Sequence, residues 1–150
     1  MADHSAIRRL RDFTAWVKTL NDLDPGLWLK PIAAGKWSTA EIVAHLANWD
    51  RHILSSILPA ARQGGAIRFP DEDAYNRQAS DYAKSGITQS ALLAETIRTR
   101  ERLVAELLEM PEEWYARKLN YSLDMLIPEF ANHDDHHRDQ IVRFLRANAK

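Results

Sequence analysis

Residues 127–145 of this 150-residue chain are IPEFANHDDHHRDQIVRFL, and this stretch decides the fold. Apolar residues recur in it every three or four positions, which is the spacing of a helix with one face in a core. His133 and His137 occupy positions in that stripe where Leu or Ile would normally lie. The stripe consists of Ile127, Phe130, His133, His137, Ile141, Phe144 and Leu145. The pattern therefore predicts two imidazoles on the inward face of one helix.

A third histidine, His45, occupies an equivalent position on an earlier predicted helix. The stripe of that helix consists of Ile42, His45, Leu46, Trp49, Ile53 and Ile57. Cβ atoms four residues apart on a helix lie about 5–6 Å apart, so His133 and His137 can each place a nitrogen about 2.0–2.1 Å from one ion. A single buried histidine is more often a hydrogen-bonded core residue, but three unpaired imidazoles would each cost roughly 1–3 kcal/mol. We therefore predict a divalent metal site made by His45, His133 and His137.

The other histidines are weaker candidates for this site. His52 follows His45 by seven residues and is an alternative ligand. His136 points about 100° away from His137 around the helix and is predicted to lie on the surface. His4 is assigned to the N-terminal tail.

The composition is that of a small globular protein. With 27% charged and 45% hydrophobic residues, the 150 residues are predicted to form a single domain, 1–150. The net charge of −1 argues against a nucleic-acid partner and favours a small-molecule substrate. The chain has no cysteine, so thiol chemistry requires a thiol from a cosubstrate.

The sequence also bears on location. Its first residues, MADHS, lack the apolar centre of a signal peptide, and no apolar run reaches the ~20 residues of a membrane span. We therefore expect a cytoplasmic protein with no membrane partner.

The periodicity predicts an all-α fold. Four main helices are expected: from about Ser5 to Leu20, from Ser38 to near Pro59, from Thr88 to Met110, and from about Asp124. Ser38 and Glu41 form a capping box, flanked by Trp37 and Ile42. A shorter helical segment is predicted from about Asp73 to Lys84. The expected architecture is a four-helix bundle with this short additional segment and long crossover loops.

Two loops and one arginine are further candidates for elements of the site. The crossing marked by Gly64, Gly65 and Pro70 is expected to border a pocket mouth. In the loop 112–122, the rings of Trp114, Tyr115 and Tyr121 are predicted to pack on the bundle, and the alternative is that they line a site. Arg100 interrupts the stripe Leu93, Ile97, Val104 and Leu108. We favour a surface arginine with a buried stem at this position, and the alternative is a residue that holds an anionic substrate group.

Two stretches together resemble a known family. Lys36-Trp37-Ser38 leads through Glu41 to His45-Leu46, and about ninety residues later come His133-x-x-x-His137-x-x-Gln140-Ile141. This combination resembles the DinB-like superfamily of four-helix-bundle metalloenzymes, in helix order and over nearly the whole chain. The resemblance implies that His45, His133 and His137 bind zinc or nickel. It also implies a low-molecular-weight thiol cosubstrate, since relatives include thiol-dependent transferases and isomerases.

The leading functional hypothesis is a metal-dependent thiol transferase or hydrolase. Three neutral histidines leave a coordination position open, as in catalytic zinc sites, where the metal activates a water or thiol. No catalytic base is assigned. Asn48, Glu129 and Asp134 are candidates for supporting the histidines or transferring protons, although solvation at the surface is the favoured role for each. Tyr75 and Asn76 are further candidates for the pocket.

The alternative hypothesis is a non-catalytic metal-binding or stress-response bundle that acts as a small-molecule binding or interaction module. The resemblance and the number of aromatic residues favour a homodimer. A di-iron carboxylate bundle is not supported, because the Glu-x-x-His pairs it requires are absent. Zinc-peptidase chemistry is not supported either, because the sequence has no His-Glu-x-x-His.

Overall fold

The computed structural model describes residues 4–149, and within this range the chain is helical and forms no strand. Met1–Asp3, part of the predicted N-terminal tail, lie outside the described residues. The long helices of the bundle are α1 (Ser5–Thr19), α3 (Thr39–His52), α6 (Gln89–Glu109) and α8 (Leu123–Ala147). The shorter helices are α2 (Pro25–Trp28), α4 (Leu58–Gln63), α5 (Glu72–Ala83) and α7 (Glu112–Tyr115). The predicted four-helix bundle with an additional short segment and long crossings is confirmed.

Side-chain caps fix where three of the long helices begin. Ser38 Oγ accepts a hydrogen bond from the Glu41 N–H at 3.2 Å, and Glu41 Oε1 accepts one from the Ser38 N–H at 3.1 Å. This is the predicted capping box at the start of α3. Thr88 and Ser122 cap α6 and α8 in the same way, because each hydroxyl accepts from a backbone N–H three residues later.

The second predicted helix does not end near Pro59. After α3 the chain forms a π-helical segment, Ile53–Ile57, and then α4, whose first turn contains Pro59. Proline is tolerated in a first turn because its missing N–H needs no partner within the helix. Gly64, with a φ of 74°, ends α4 in the left-handed conformation. The helical rod that carries His45 is therefore longer than predicted.

The order of core residues along each helix gives the topology. One hydrophobic cluster contains the first half of α1, the end of α6 and the start of α8, and the other contains the opposite ends of these helices. α3 enters the second cluster with Ile42 and continues into the π segment in the first cluster. Thus α1 and α8 run in one direction, and α3 and α6 run in the other. Because α3 and α6 are parallel neighbours, a long crossing has to return the chain between them, and α5 lies in it, packed on α3.

A buried polar layer separates the two hydrophobic clusters. Arg100 on α6 is only 4% exposed, and its five N–H groups donate to Asp50 on α3, Asp134 on α8 and the Leu10 carbonyl oxygen on α1. We call Asp50, Arg100 and Asp134 the ion-pair layer. The prediction that Arg100 and Asp134 lie at the surface is therefore wrong.

Two further predictions are corrected by the helix packing. Leu108, placed in the core stripe of α6, is 58% exposed, because the buried face is rotated toward Leu103 and Leu107. His4 is not a free tail residue, since its Nε2 lies 2.6 Å from Glu112 Oε1 and its ring packs on Tyr115. No described helix has the length and apolar character needed to cross a membrane.

Candidate metal centre

The bundle brings His45, His133 and His137 together, at the seam between α3 and α8. His133 Nε2 lies 3.2 Å from His45 Nε2 and 3.1 Å from His137 Nε2. One candidate ligand atom from each of the three residues lies within 4.8 Å of the other two. Two nitrogens bound to one tetrahedral ion at about 2.0–2.1 Å would lie roughly 3.3 Å apart, so the observed separations suit a shared ion.

Asn76, on α5, fixes the protonation pattern of His45. Its Oδ1 lies 2.9 Å from Trp49 Nε1, which is only a donor, so this atom of the amide must be the acceptor. The same oxygen lies 3.1 Å from His45 Nδ1. His45 Nδ1 therefore carries the proton, and the lone pair of Nε2 faces the other two histidines.

Gln140 fixes the protonation pattern of His137 in the same way. Its Oε1 lies 2.8 Å from His137 Nδ1, so that nitrogen donates and His137 Nε2 is left unprotonated. His133 Nε2 can donate its single proton to only one of the two remaining nitrogens. At least one of the two close Nε2–Nε2 contacts therefore has no hydrogen between its nitrogens, an arrangement that a bound cation relieves. The three residues therefore fit a divalent metal.

The same environment keeps the imidazoles neutral. Burial and the neighbouring histidines lower the pKa of His45 to about 3, and burial and His133 lower the pKa of His137 to about 4. Burial also lowers the pKa of His133. Metal ions bind the unprotonated form of imidazole, so protons do not compete strongly for these nitrogens near neutral pH.

A cavity of about 500 Å³ opens onto the histidines. His45 and His133 form part of its wall, together with rings from α3 and α8 and the loop before α5. A smaller cavity of about 230 Å³ is lined in part by His137, Gln140 and Trp37. The loop from Gly64 to Pro70 borders the larger cavity through Phe69 and Pro70, as predicted for that crossing.

The other candidate residues lie in different places. His52 is not part of the three-histidine group. Its Nε2 lies 2.8 Å from the Arg68 carbonyl oxygen instead. Asn48 lines a separate polar groove with Arg51, and its Nδ2 is 3.5 Å from the Tyr75 carbonyl oxygen. Both carboxylate oxygens of Asp134 accept hydrogen bonds from Arg100. Of the three proton-transfer candidates, only Glu129 lines the larger cavity.

Some predicted positions agree with the structure. His136 is exposed, as predicted. Tyr115 is buried and packs on the core, while Tyr121 remains partly exposed against Phe69. Asn76 was named from the sequence without a defined partner, and Gln140 only as part of the family resemblance.

The ion-pair layer was missed, although the sequence carried a signal for it. Asp50 lies four residues after Leu46 and three before Ile53, so it occupies an inward position on α3. A buried acid at such a position requires a cation, and Arg100 is the arginine that interrupts a stripe elsewhere.

The comparisons with known proteins agree with the fold. A family model described as the DinB superfamily matches residues 8–141. The solved structure of YfiT from Bacillus subtilis superimposes with a TM-score of 0.75, covering 95% of this chain and 85% of that chain at 23% identity. YfiT is described as a probable metal-dependent hydrolase with an unusual four-helix bundle topology. At this identity the likeness establishes the shared fold. Comparison with curated proteins gives no match.

Proposed function

This chain belongs to the DinB superfamily, and from that membership and the geometry of its histidines we propose that it is a metal-dependent enzyme, either a hydrolase or a thiol-dependent transferase. His45, His133 and His137 hold the metal, with zinc or nickel as the expected ions. The observation that carries the proposal is the convergence of three Nε2 atoms, two of them left unprotonated by Asn76 and Gln140.

A catalytic site is favoured over a structural one by the number of ligands. Within residues 4–149 no further His, Cys, Asp or Glu joins the group of three. Structural zinc sites have four protein ligands, whereas catalytic sites leave a position for water or substrate. The cavity against His45 and His133 provides room for that substrate. These features also count against the alternative of a non-catalytic bundle.

Residues around the three histidines orient the imidazoles and form the walls of the site. A divalent metal bound here would supply Lewis-acid activation of a water or thiol. Asn76 and Gln140 hold two imidazoles in fixed orientation through their Nδ1 atoms. The Trp37 ring, whose centre is 5.0 Å from that of His45, and the Trp49 ring form apolar walls beside the site. Because the chain has no cysteine, a transferase reaction takes its thiol from a cosubstrate.

Metal content tests the proposal. We expect about one zinc or nickel ion per chain, by mass spectrometry of protein purified without a histidine tag. His133→Ala should lose the metal. His136→Ala is the matched control, because His136 lies three residues further along the same helix and is exposed. Equal metal content in the two variants, or none in the wild type after adding zinc and nickel, would exclude the site.

Activity separates the two reaction classes. The metal-loaded protein should be assayed with activated esters, amides and alkylating electrophiles, each with and without low-molecular-weight thiols. Turnover without thiol identifies a hydrolase, and turnover that requires thiol identifies a transferase. Either activity should be lost in His133→Ala and retained in His136→Ala. Metal binding without turnover of any of these substrates would favour the non-catalytic bundle.

A further inference from the structure

The larger cavity has an aromatic wall. Trp49 and Phe130 come from α3 and α8, and Phe69 and Pro70 come from the loop before α5. Phe69 is held between two rings, with its centre 6.0 Å from His52 and 5.4 Å from Tyr121, and it is still 42% exposed. A volume of about 500 Å³ is within the range of small-molecule pockets. The cavity therefore suits an organic molecule with an apolar body.

Two carboxylates complete the lining. Glu72, in the first turn of α5, and Glu129, one helical turn before His133, both border the cavity. Neither forms an ion pair or a side-chain hydrogen bond with any residue in the described range 4–149. Other surface acids here do have such partners, for example Asp135 with Arg9 at 2.7 Å.

The lining has no cationic side chain for an anion. Among the described residues of the cavity wall there is no lysine or arginine, and the remaining polar side chains are Asn132 and the two histidines. A ligand with a positive charge would meet two carboxylates and the faces of aromatic rings, both of which attract cations. A ligand with a negative charge would meet two carboxylates and no cationic side chain, so its attraction would come from the Asn132 amide and any bound metal.

We propose that this cavity selects a substrate with an apolar or aromatic body and a cationic amino group. The amino group lies at Glu72 and Glu129, the body lies on Trp49, Phe69 and Phe130, and the reacting group is directed at His45 and His133. Only the assignment of the reacting end rests on the proposed function.

Three probes that share a phenyl ring test the charge preference. Benzyltrimethylammonium is permanently cationic and does not coordinate metals, benzyl alcohol is neutral, and benzenesulfonate is anionic. Binding is measured by protein NMR titration of zinc-loaded and of chelator-treated protein. The cation should bind tighter than both other probes in each form, and tighter in the chelated form, because removing the divalent ion removes a repelling charge.

Substitutions locate the preference in the cavity. Glu129→Gln and Glu72→Gln should each weaken binding of the cation about two- to fivefold and leave the neutral probe unchanged. Glu109→Gln is the matched control, since Glu109 is exposed and lies outside this cavity. No detectable binding of the cation, equal binding of the three probes, or equal effects in the three variants would overturn the proposal.

The two proposals fail in different ways. If zinc does not bind but the cation preference and its dependence on Glu72 and Glu129 persist in the metal-free protein, the metal-dependent function is wrong and the cavity assignment stands. If zinc binds as expected but the cation has no preference, the cavity assignment is wrong and the metal-dependent function stands.

Discussion

Asn76 Oδ1 accepts hydrogen bonds from both Trp49 Nε1 and His45 Nδ1, and these two contacts connect three parts of the site. The indole N–H orients the amide, the amide orients the imidazole, and the imidazole presents Nε2 to His133. Removing such an outer partner of a metal-binding histidine typically lowers metal affinity by 10- to 100-fold. At the scale of single residues, Asn76 is therefore the most informative position outside the three histidines.

We expect Asn76→Ala to lower zinc affinity by about 10- to 100-fold, because His45 loses the acceptor that holds its tautomer and orientation. Competition with a chromophoric chelator measures the affinity. Asn76→Asp keeps an oxygen acceptor and should retain most of it. Gln78→Ala, an exposed amide two residues further along α5, is the control. A loss in Asn76→Ala no larger than in Gln78→Ala would contradict the assigned role.

The lowered histidine pKa values predict acid sensitivity of the metal-free protein. In the unfolded chain these histidines take up protons near pH 6.5, whereas in the folded chain His45 does so at about 3 and His137 at about 4. Between these pKa values the unfolded state binds more protons than the folded state. The free energy of unfolding is therefore highest above pH 6.5 and decreases as the pH falls toward 4. Asp50 acts in the opposite direction, because burial raises its pKa to about 6 and the folded state then holds this proton more tightly than the unfolded chain. Its pKa shift is smaller, so it offsets only part of the decrease.

Circular dichroism melting of chelated protein between pH 7.5 and 4.5 checks this prediction. The Tm should fall with pH in the wild type and fall less steeply in a His45→Ala, His137→Ala double variant, in which those two groups are removed. Identical slopes for the two proteins would show that other groups control the pH dependence.

At the scale of elements, α3 contributes one of the three histidines and positions the helix that supports it. It carries His45 and Trp49, and its capping box is connected to α5 because Glu41 Oε2 accepts a hydrogen bond from Ser80 Oγ. α5 in turn carries Asn76. The cap thus fixes both where α3 begins and how the helix that supports His45 is placed beside it.

Ser38→Ala should destabilise the fold by about 1 kcal/mol, because the Glu41 N–H loses its side-chain acceptor at the start of α3. Urea unfolding measures the change in the free energy of unfolding. Ser90→Ala, at an exposed position near the start of α6, should change it by less than about 0.5 kcal/mol. Equal effects of the two substitutions would remove the capping interpretation.

At the scale of the whole molecule, the ion-pair layer connects all four long helices. Each of the five N–H groups of Arg100 has an acceptor, so the charge is buried without an unsatisfied donor. Asp50 and Asp134 raise the pKa of Arg100, while burial raises that of each acid. Asp134 follows His133 directly, so the layer also fixes α8 where the metal site is formed.

Arg100→Met should destabilise the protein by about 3–5 kcal/mol, because it leaves two buried carboxylates without a partner. Arg98→Met removes an exposed arginine from the same helix and should cost less than about 0.5 kcal/mol. Both are measured by urea unfolding. Adding Asp50→Asn and Asp134→Asn to Arg100→Met should recover part of the loss. A cost below about 1 kcal/mol for Arg100→Met would contradict the importance of the layer.

The sequence by itself determined the four main helices, the α3 cap and the inward direction of His45, His133 and His137. These features depend on local spacing along one helix, which the order of residues contains. Tertiary structure alone decided which side chains meet across helices, namely Asn76 with His45 and Arg100 with Asp50 and Asp134. The rotation of α6 that exposes Leu108, and the continuation of the helix past Pro59, were also decided by packing. A helical pattern defines a face to within about one residue position, or 100°, and the neighbouring helices select the final rotation.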